Sequence, residues 1–183
     1  MSLLGCGVSM IMEIDETKLS SIIESVDLNS ECVKSIIDDL VSSCCSSLDK
    51  YVDYVSNILN DQDNEMTNEE LDDIVMTIPT ILYSVGVAQE NLGIRHDVSS
   101  SQRQLMYNKI YTETAGTAGV KKAIAENDVF YESLTSLVYD RAYTIIKSKV
   151  NFAFEILQSA KKVMSRRISE QDLSRSDTGK SKV

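Results

Sequence analysis

From residue 15 onward, apolar residues recur every three or four positions, the spacing that puts side chains on one face of an α-helix. Residues 15–26 read as a short amphipathic helix with Leu19, Ile22, Ile23 and Val26 on one stripe. Asp27-Leu28-Asn29 is expected to break it, with Asn29 or Ser30 capping a second helix that runs to about Asn60. That second helix has a wide apolar face, from Val33, Ile36 and Ile37 through Cys44, Leu48 and Tyr51 to Val55 and Leu59. The polar stretch 61–65 then reads as a turn. Thr67-Asn-Glu-Glu70 has the form of a capping box, in which the Thr oxygen serves the amide three residues on and the Glu reaches back. The helix it starts is expected to kink at Pro79 and to stop at Gly93. Asp97–Ser101 reads as a loop and cap, and a fourth helix spans about Ser101 to Thr114.

After the small-residue break 114–119 comes a last helix, about Val120 to Ile168, which Asn127-Asp128 is expected to interrupt. In it Ile146, Val150, Ala153, Leu157, Ala160 and Met164 repeat at alternating spacings of four and three, a heptad seam suited to oligomerisation. A second stripe, Val138, Ala142, Ile145, Phe152, Ile156 and Val163, lies beside it. Together they make a face wider than a two-stranded seam needs, so several neighbours are expected, in the same bundle or in other subunits.

The composition agrees with this pattern. One proline and seven glycines cannot supply the turns of a sandwich or barrel. The expected architecture is therefore all-α: an oligomeric helical bundle with a long C-terminal amphipathic helix. Residues 1–11 are expected to be a poorly ordered leader, 12–168 one helical domain, and 169–183 a disordered polar tail. No continuous apolar run approaches the roughly 18–20 residues that cross a bilayer, so no membrane partner is expected.

Charge changes the picture along the chain. Residues 1–98 hold 4 Lys/Arg against 19 Asp/Glu, a net −15, and residues 99–183 hold 14 against 9, a net +5. A basic second half suits an anionic ligand, and an ordinary solvated acidic face is the alternative. Arg103, Tyr107 and Tyr111, at i, i+4 and i+8 with Lys109 nearby, combine cations for phosphates with flat rings for bases. The alternative, which the sequence alone favours, is that both tyrosines are core residues with their hydroxyls at the rim. Lys121, Lys122, Lys161, Lys162, Arg166 and Arg167 are further phosphate candidates. For the C-terminal four, solubility and helix capping form the alternative.

Catalysis and cofactors find no support in these residues. His96 is the single histidine, Cys6, Cys32, Cys44 and Cys45 lack paired metal-ligand spacing, and the acidic runs lack that of a calcium loop. Cys32, Cys44 and Cys45 are expected to be reduced core residues.

The succession Arg103-Gln-Leu-Met-Tyr-Asn-Lys-Ile-Tyr111, Thr117-Ala-Gly-Val-Lys-Lys-Ala-Ile-Ala-Glu126, Tyr143-Thr-Ile-Ile-Lys-Ser-Lys-Val150 and Ser159-Ala-Lys-Lys-Val-Met-Ser-Arg-Arg167 resembles phage proteins of the UvsY type. These are recombination, repair and single-stranded-DNA-binding mediators, and the resemblance covers residues 71–167. It implies a cytoplasmic, non-enzymatic homo-oligomer without cofactors. Such an oligomer binds single-stranded DNA, partners a single-stranded-DNA-binding protein and helps load a RecA-like recombinase. Arg103 and Lys109 fall where the family's DNA-contacting helix would be, and Ile146 to Met164 where its oligomerisation helix would be. The acidic residues 13–73 have no clear counterpart in that family. A phage scaffold protein that assembles through the heptad seam and never touches nucleic acid is the alternative.

Overall fold

The computed structural model describes residues 16–60 and 66–179. The leader 1–11 and the turn 61–65 lie outside them. Among the described residues there are four helices and no strand: α1 (Glu16–Asn60), α2 (Asn68–Glu113), α3 (Ala118–Asp128) and α4 (Phe130–Gly179). The all-α expectation is met. The chain divides into two compact units at Ser35/Ile36. In the first, the side chains described from Ser20 to Cys32 are all exposed, Ile22, Ile23 and Val26 included.

The second unit contains the core. α2 and α4 pack antiparallel. Arg103 of α2 reaches Ser133 near the start of α4, and Arg167 far along α4 reaches Asn68 at the start of α2. α1 lies against both: the Tyr51 hydroxyl donates to Asp73 at 2.7 Å, and the Lys149 ammonium donates to Asp49 at 2.6 Å. Between these polar rims the interior is aliphatic. α1 contributes Val41, Leu48 and Val55, α2 contributes Leu71, Ile74, Ile78 and Val85, and α4 contributes Ala142, Ile146 and Ala153. Burial and the acceptor bond to Asp73 both push the Tyr51 hydroxyl pKa upward. Cys45 is fully buried, and burial first, then Asp49, raises its thiol pKa from 9.0 to about 11. Of the three cysteines expected in the core, only Cys45 is fully buried; Cys44 is half-buried and Cys32 is exposed.

Several expected breaks are continuous helix. α1 runs through Asp27-Leu28-Asn29, where the Ser30 hydroxyl donates backward to the Asp27 carbonyl at 2.8 Å instead of capping a new start. α2 runs through Gly93 and through Asp97–Ser101. Ser99 is buried and its hydroxyl donates to the His96 carbonyl at 2.8 Å. The heptad series Leu71, Ile78, Val85, Leu92, Ser99 keeps one face of α2 against the core, and that packing outweighs the local stop signals. Gly93 lies against α4: a Cβ there would sit 3.5 Å from the Tyr143 ring, an ordinary packing contact. Thr67 and Glu70 form the expected capping box, with the Thr67 amide 2.7 Å from the Glu70 carboxylate and the Glu70 amide 3.2 Å from the Thr67 hydroxyl.

The long last helix is divided at Val129, one residue past the expected interruption. Val129 is buried, and its amide bonds to the Ala125 and Asn127 carbonyls. α4 continues past Ile168 through the stretch expected to be a disordered tail, as far as Gly179; residues 180–183 lie outside the described chain. Gly116, between α2 and α3, has φ +126, a conformation that side chains with a Cβ resist.

The heptad seam of α4 packs within the chain. Ile146 and Ala153 are fully buried, Leu157 and Ala160 nearly so, and Val150 and Met164 half-buried. Four of the six residues expected to form an oligomer seam therefore face the chain's own core, and Val150 and Met164 stay partly exposed. Of the parallel stripe, Ile145, Phe152 and Val163 remain exposed. α2 also contains an 18-residue window long and apolar enough to cross a membrane, 28% of it buried in this fold. The expectation of no such run counted continuous apolar residues and overlooked a window diluted by uncharged Thr, Ser and Gln.

Gly86, inside α2, has open space where a Cβ would go. Gly86→Ala is expected to stabilise the protein by about 0.5–1 kcal/mol, because alanine restricts the unfolded chain and favours helix. Thermal unfolding followed by circular dichroism checks it: the midpoint should rise, and a fall would show an unseen close contact.

Candidate nucleic-acid interface

The residues proposed to bind nucleic acid are set by where α2 ends. The C-terminal turns of α2 carry Arg103, Tyr107 and Tyr111 on one face, all half-buried. The Arg103 Nε donates to the Ser133 hydroxyl at 2.7 Å, and that hydroxyl donates on to the Val129 carbonyl at 2.8 Å. Arg103 therefore ties α2 to the α3–α4 junction and has a fixed orientation. The Tyr107 and Tyr111 rings stack, with centroids 6.1 Å apart and planes 18° from parallel. Lys121, from the second turn of α3, holds its ammonium 5.9 Å from the centre of the Tyr111 ring. The bend at Thr114–Thr117 makes this approach possible: Thr114 ends α2 by bonding back to Ile110 through its amide (2.9 Å) and its hydroxyl (2.7 Å). Arg103, the stacked tyrosines and Lys121 thus form one continuous strip.

Lys122 is exposed beside this strip and makes an i,i+4 pair with Glu126 at 3.6 Å, a contact weak enough to yield to a phosphate. Lys109 does not join it. At 100° per residue it points about 160° around α2 from Tyr111 and is exposed on the far face.

The remaining candidates are elsewhere. Arg167 is half-buried and donates from Nη1 to the Asn68 side chain at 2.9 Å, while Arg166 pairs with Glu170 at 2.8 Å, which raises its pKa. Lys161 and Lys162 are exposed on α4 a turn or two earlier. Arg167 is beside the first residue of α2 and Arg103 is 35 residues along it, so the two basic groups are about 50 Å apart in one chain at 1.5 Å per residue. The ten residues read as one set form two sites in a single chain, plus the outlying Lys109.

Sequence reasoning missed Phe130 and Tyr131. They are 57% and 76% exposed, with ring centroids 5.4 Å apart in an edge-on arrangement. They open α4 one turn before Ser133, the residue that Arg103 holds. The signal was available: two adjacent aromatic residues just after a predicted helix interruption, where neither ring has a core to enter.

His96 is half-buried, with Nδ1 3.3 Å from the carboxylate of neighbouring Asp97. Among the described residues, no three of His, Cys, Asp or Glu come together as a metal site would require.

No family model, curated protein or solved structure matches this chain.

Proposed function

We propose that this protein is a non-catalytic single-stranded-DNA-binding recombination mediator that acts as a homo-oligomer in the host-cell cytoplasm and helps load a RecA-like recombinase. The observation that carries the reading is the strip of Arg103, Tyr107, Tyr111 and Lys121: two parallel, half-exposed rings flanked by cations. Rings that stack bases and cations that take phosphates are the two components of sequence-tolerant single-strand binding. The exposed Phe130–Tyr131 pair supplies further flat surface near the same junction. The recombinase and the single-stranded-DNA-binding protein enter as partners through the UvsY-type resemblance, and the acidic first half of the chain is the surface offered to them.

Fluorescence anisotropy of a labelled oligo-dT, titrated with the full chain at low and moderate salt, tests the proposal. With Arg103, Lys121 and Lys122 as phosphate contacts, log K should fall against log[salt] with a slope of about −2 per subunit, at roughly −0.7 per contact. Salt-independent binding would overturn the reading. Absence of binding at low salt would do so too, leaving a structural helical assembly protein that does not engage nucleic acid. That second reading draws on the net charge of −10 and on a large exposed apolar stripe on α2.

A further inference from the structure

The stripe on α2 points to a partner. Met76, Tyr83, Val87, Ile94, Val98 and Leu105 are 73, 80, 54, 53, 50 and 70% exposed. At 100° per residue they fall within about 60° of one another, some 120° or more around the helix from Leu71, Ile78 and Val85, which face the core. The stripe is about 43 Å long at 1.5 Å per residue. From Ile74 to Gln89 the helix has no charged residue at all. A helix apolar on both faces is stable in water only when both are covered, and the described residues cover one.

The spacing identifies what covers the other. The six residues form two columns with an eleven-residue period, Met76–Val87–Val98 and Tyr83–Ile94–Leu105. Eleven residues in three turns keep such columns nearly straight along an α-helix. The columns are also mirror images in sequence about the point between Glu90 and Asn91. Met76 and Leu105 are equally far from it, as are Tyr83 and Val98, and Val87 and Ile94. A two-fold interface requires this self-complementarity, since each contact from i to j must recur from j to i.

We propose that two copies of this chain pair through this face, α2 against α2, antiparallel about a two-fold axis at Glu90–Asn91. Met76 of one copy then meets Leu105 of the other, Tyr83 meets Val98, and Val87 meets Ile94. Exposed Asp72 and Lys109 continue the same two columns and fall opposite each other at both ends of the seam. A parallel pairing would instead set Asp72 against Asp72 and Lys109 against Lys109, so charge selects the antiparallel arrangement. The six side chains expose roughly 700 Å² per copy, on the scale of the 800 Å² per partner of a standard interface. An anionic bilayer is a poorer match: Asp72, Glu90 and Asp97 border the stripe, where a surface-bound helix needs lysine and arginine.

This pairing does not rest on DNA binding, and it is tested without DNA. In a chain with Cys6→Ser and Cys32→Ser, Asn91→Cys lies next to the two-fold axis and is expected to form a disulfide-linked dimer with diamide. Ser84→Cys, exposed but off the axis, should not. Light scattering of the unmodified chain should give an even multiple of 20.4 kDa. Ile94→Asp should at least halve that mass while leaving the helical signal unchanged, because Ile94 is 53% exposed. Equal cross-linking of the two cysteine variants, or an unchanged mass for Ile94→Asp, would overturn the proposal. So would a monomeric chain that floats with phosphatidylcholine vesicles, an outcome that would assign the stripe to a bilayer.

Discussion

Ile146→Ala is expected to destabilise the protein by about 2–5 kcal/mol, the range for removing a large aliphatic side chain from a closed core. Ile146 is fully buried where α4 faces the interior, while the adjacent Ile145 is 38% exposed. Ile145→Ala should therefore be much milder, since only part of its side chain leaves water on folding. Urea unfolding measures both, and the midpoint shift for Ile146→Ala should exceed that for Ile145→Ala several-fold. The comparison also tests where the heptad seam of α4 belongs. If the seam joined subunits, Ile146→Ala would dissociate the oligomer and leave the stability of the single chain nearly unchanged. The burial of Ala153, Leu157 and Ala160 along the same line argues for the opposite result.

The second large effect concerns the tyrosine pair. Removing both rings, Tyr107→Ala with Tyr111→Ala, is expected to weaken single-strand binding by at least about 2 kcal/mol, near 30-fold, because each stacked base is worth about 1–3 kcal/mol. Phenylalanine at both positions keeps the rings and should bind within a few-fold of the unmodified protein. Both tyrosines are half-buried, so a melting curve run alongside separates lost stacking from lost fold. Anisotropy with oligo-dT is the readout. Unimpaired binding by the folded double alanine variant would remove the rings from the proposed site. Equal loss in the phenylalanine variant would assign the effect to the hydroxyls instead.

Much of the architecture was legible in residue order. Thr67 and Glu70 fixed the start of α2, because a capping box is satisfied by four consecutive residues and needs no distant partner. The small residues after Thr114 marked the turn into α3 for the same reason: Gly116 takes a φ of +126 that other residues avoid. The apolar faces of the second half of α1 and of α4 were also visible, since 3.6-residue periodicity is written directly in the sequence.

Two of the misread boundaries share a cause. Asp27–Asn29, Gly93 and Asp97–Ser101 carry local stop signals worth about 1 kcal/mol each. At Gly93 and Ser99, long-range packing of α2 along α4 outweighs them, and the serine hydroxyls turn back onto helical carbonyls. The heptad Leu71, Ile78, Val85, Leu92, Ser99 carried that information, although a serine at its end hid it. The strip of Arg103, Tyr107 and Tyr111 was read correctly as one face. Its link to Lys121 and its separation from Lys109 and Arg167 depended on the chain folding back at Thr114 and on α4 running antiparallel to α2.

By itself, then, the sequence determined that this chain is helical, where α2 begins, where the chain turns into α3, and which stripes are apolar. These are properties of the local backbone and of the 3.6-residue repeat. Only the tertiary structure decided which apolar stripe became interior and which remained outside. Two stripes of equal hydrophobicity look alike along a sequence, and burial depends on which neighbouring helix reaches them first. Here α1 and α2 cover the Ile146 line of α4, and among the described residues none covers the Met76–Leu105 line of α2.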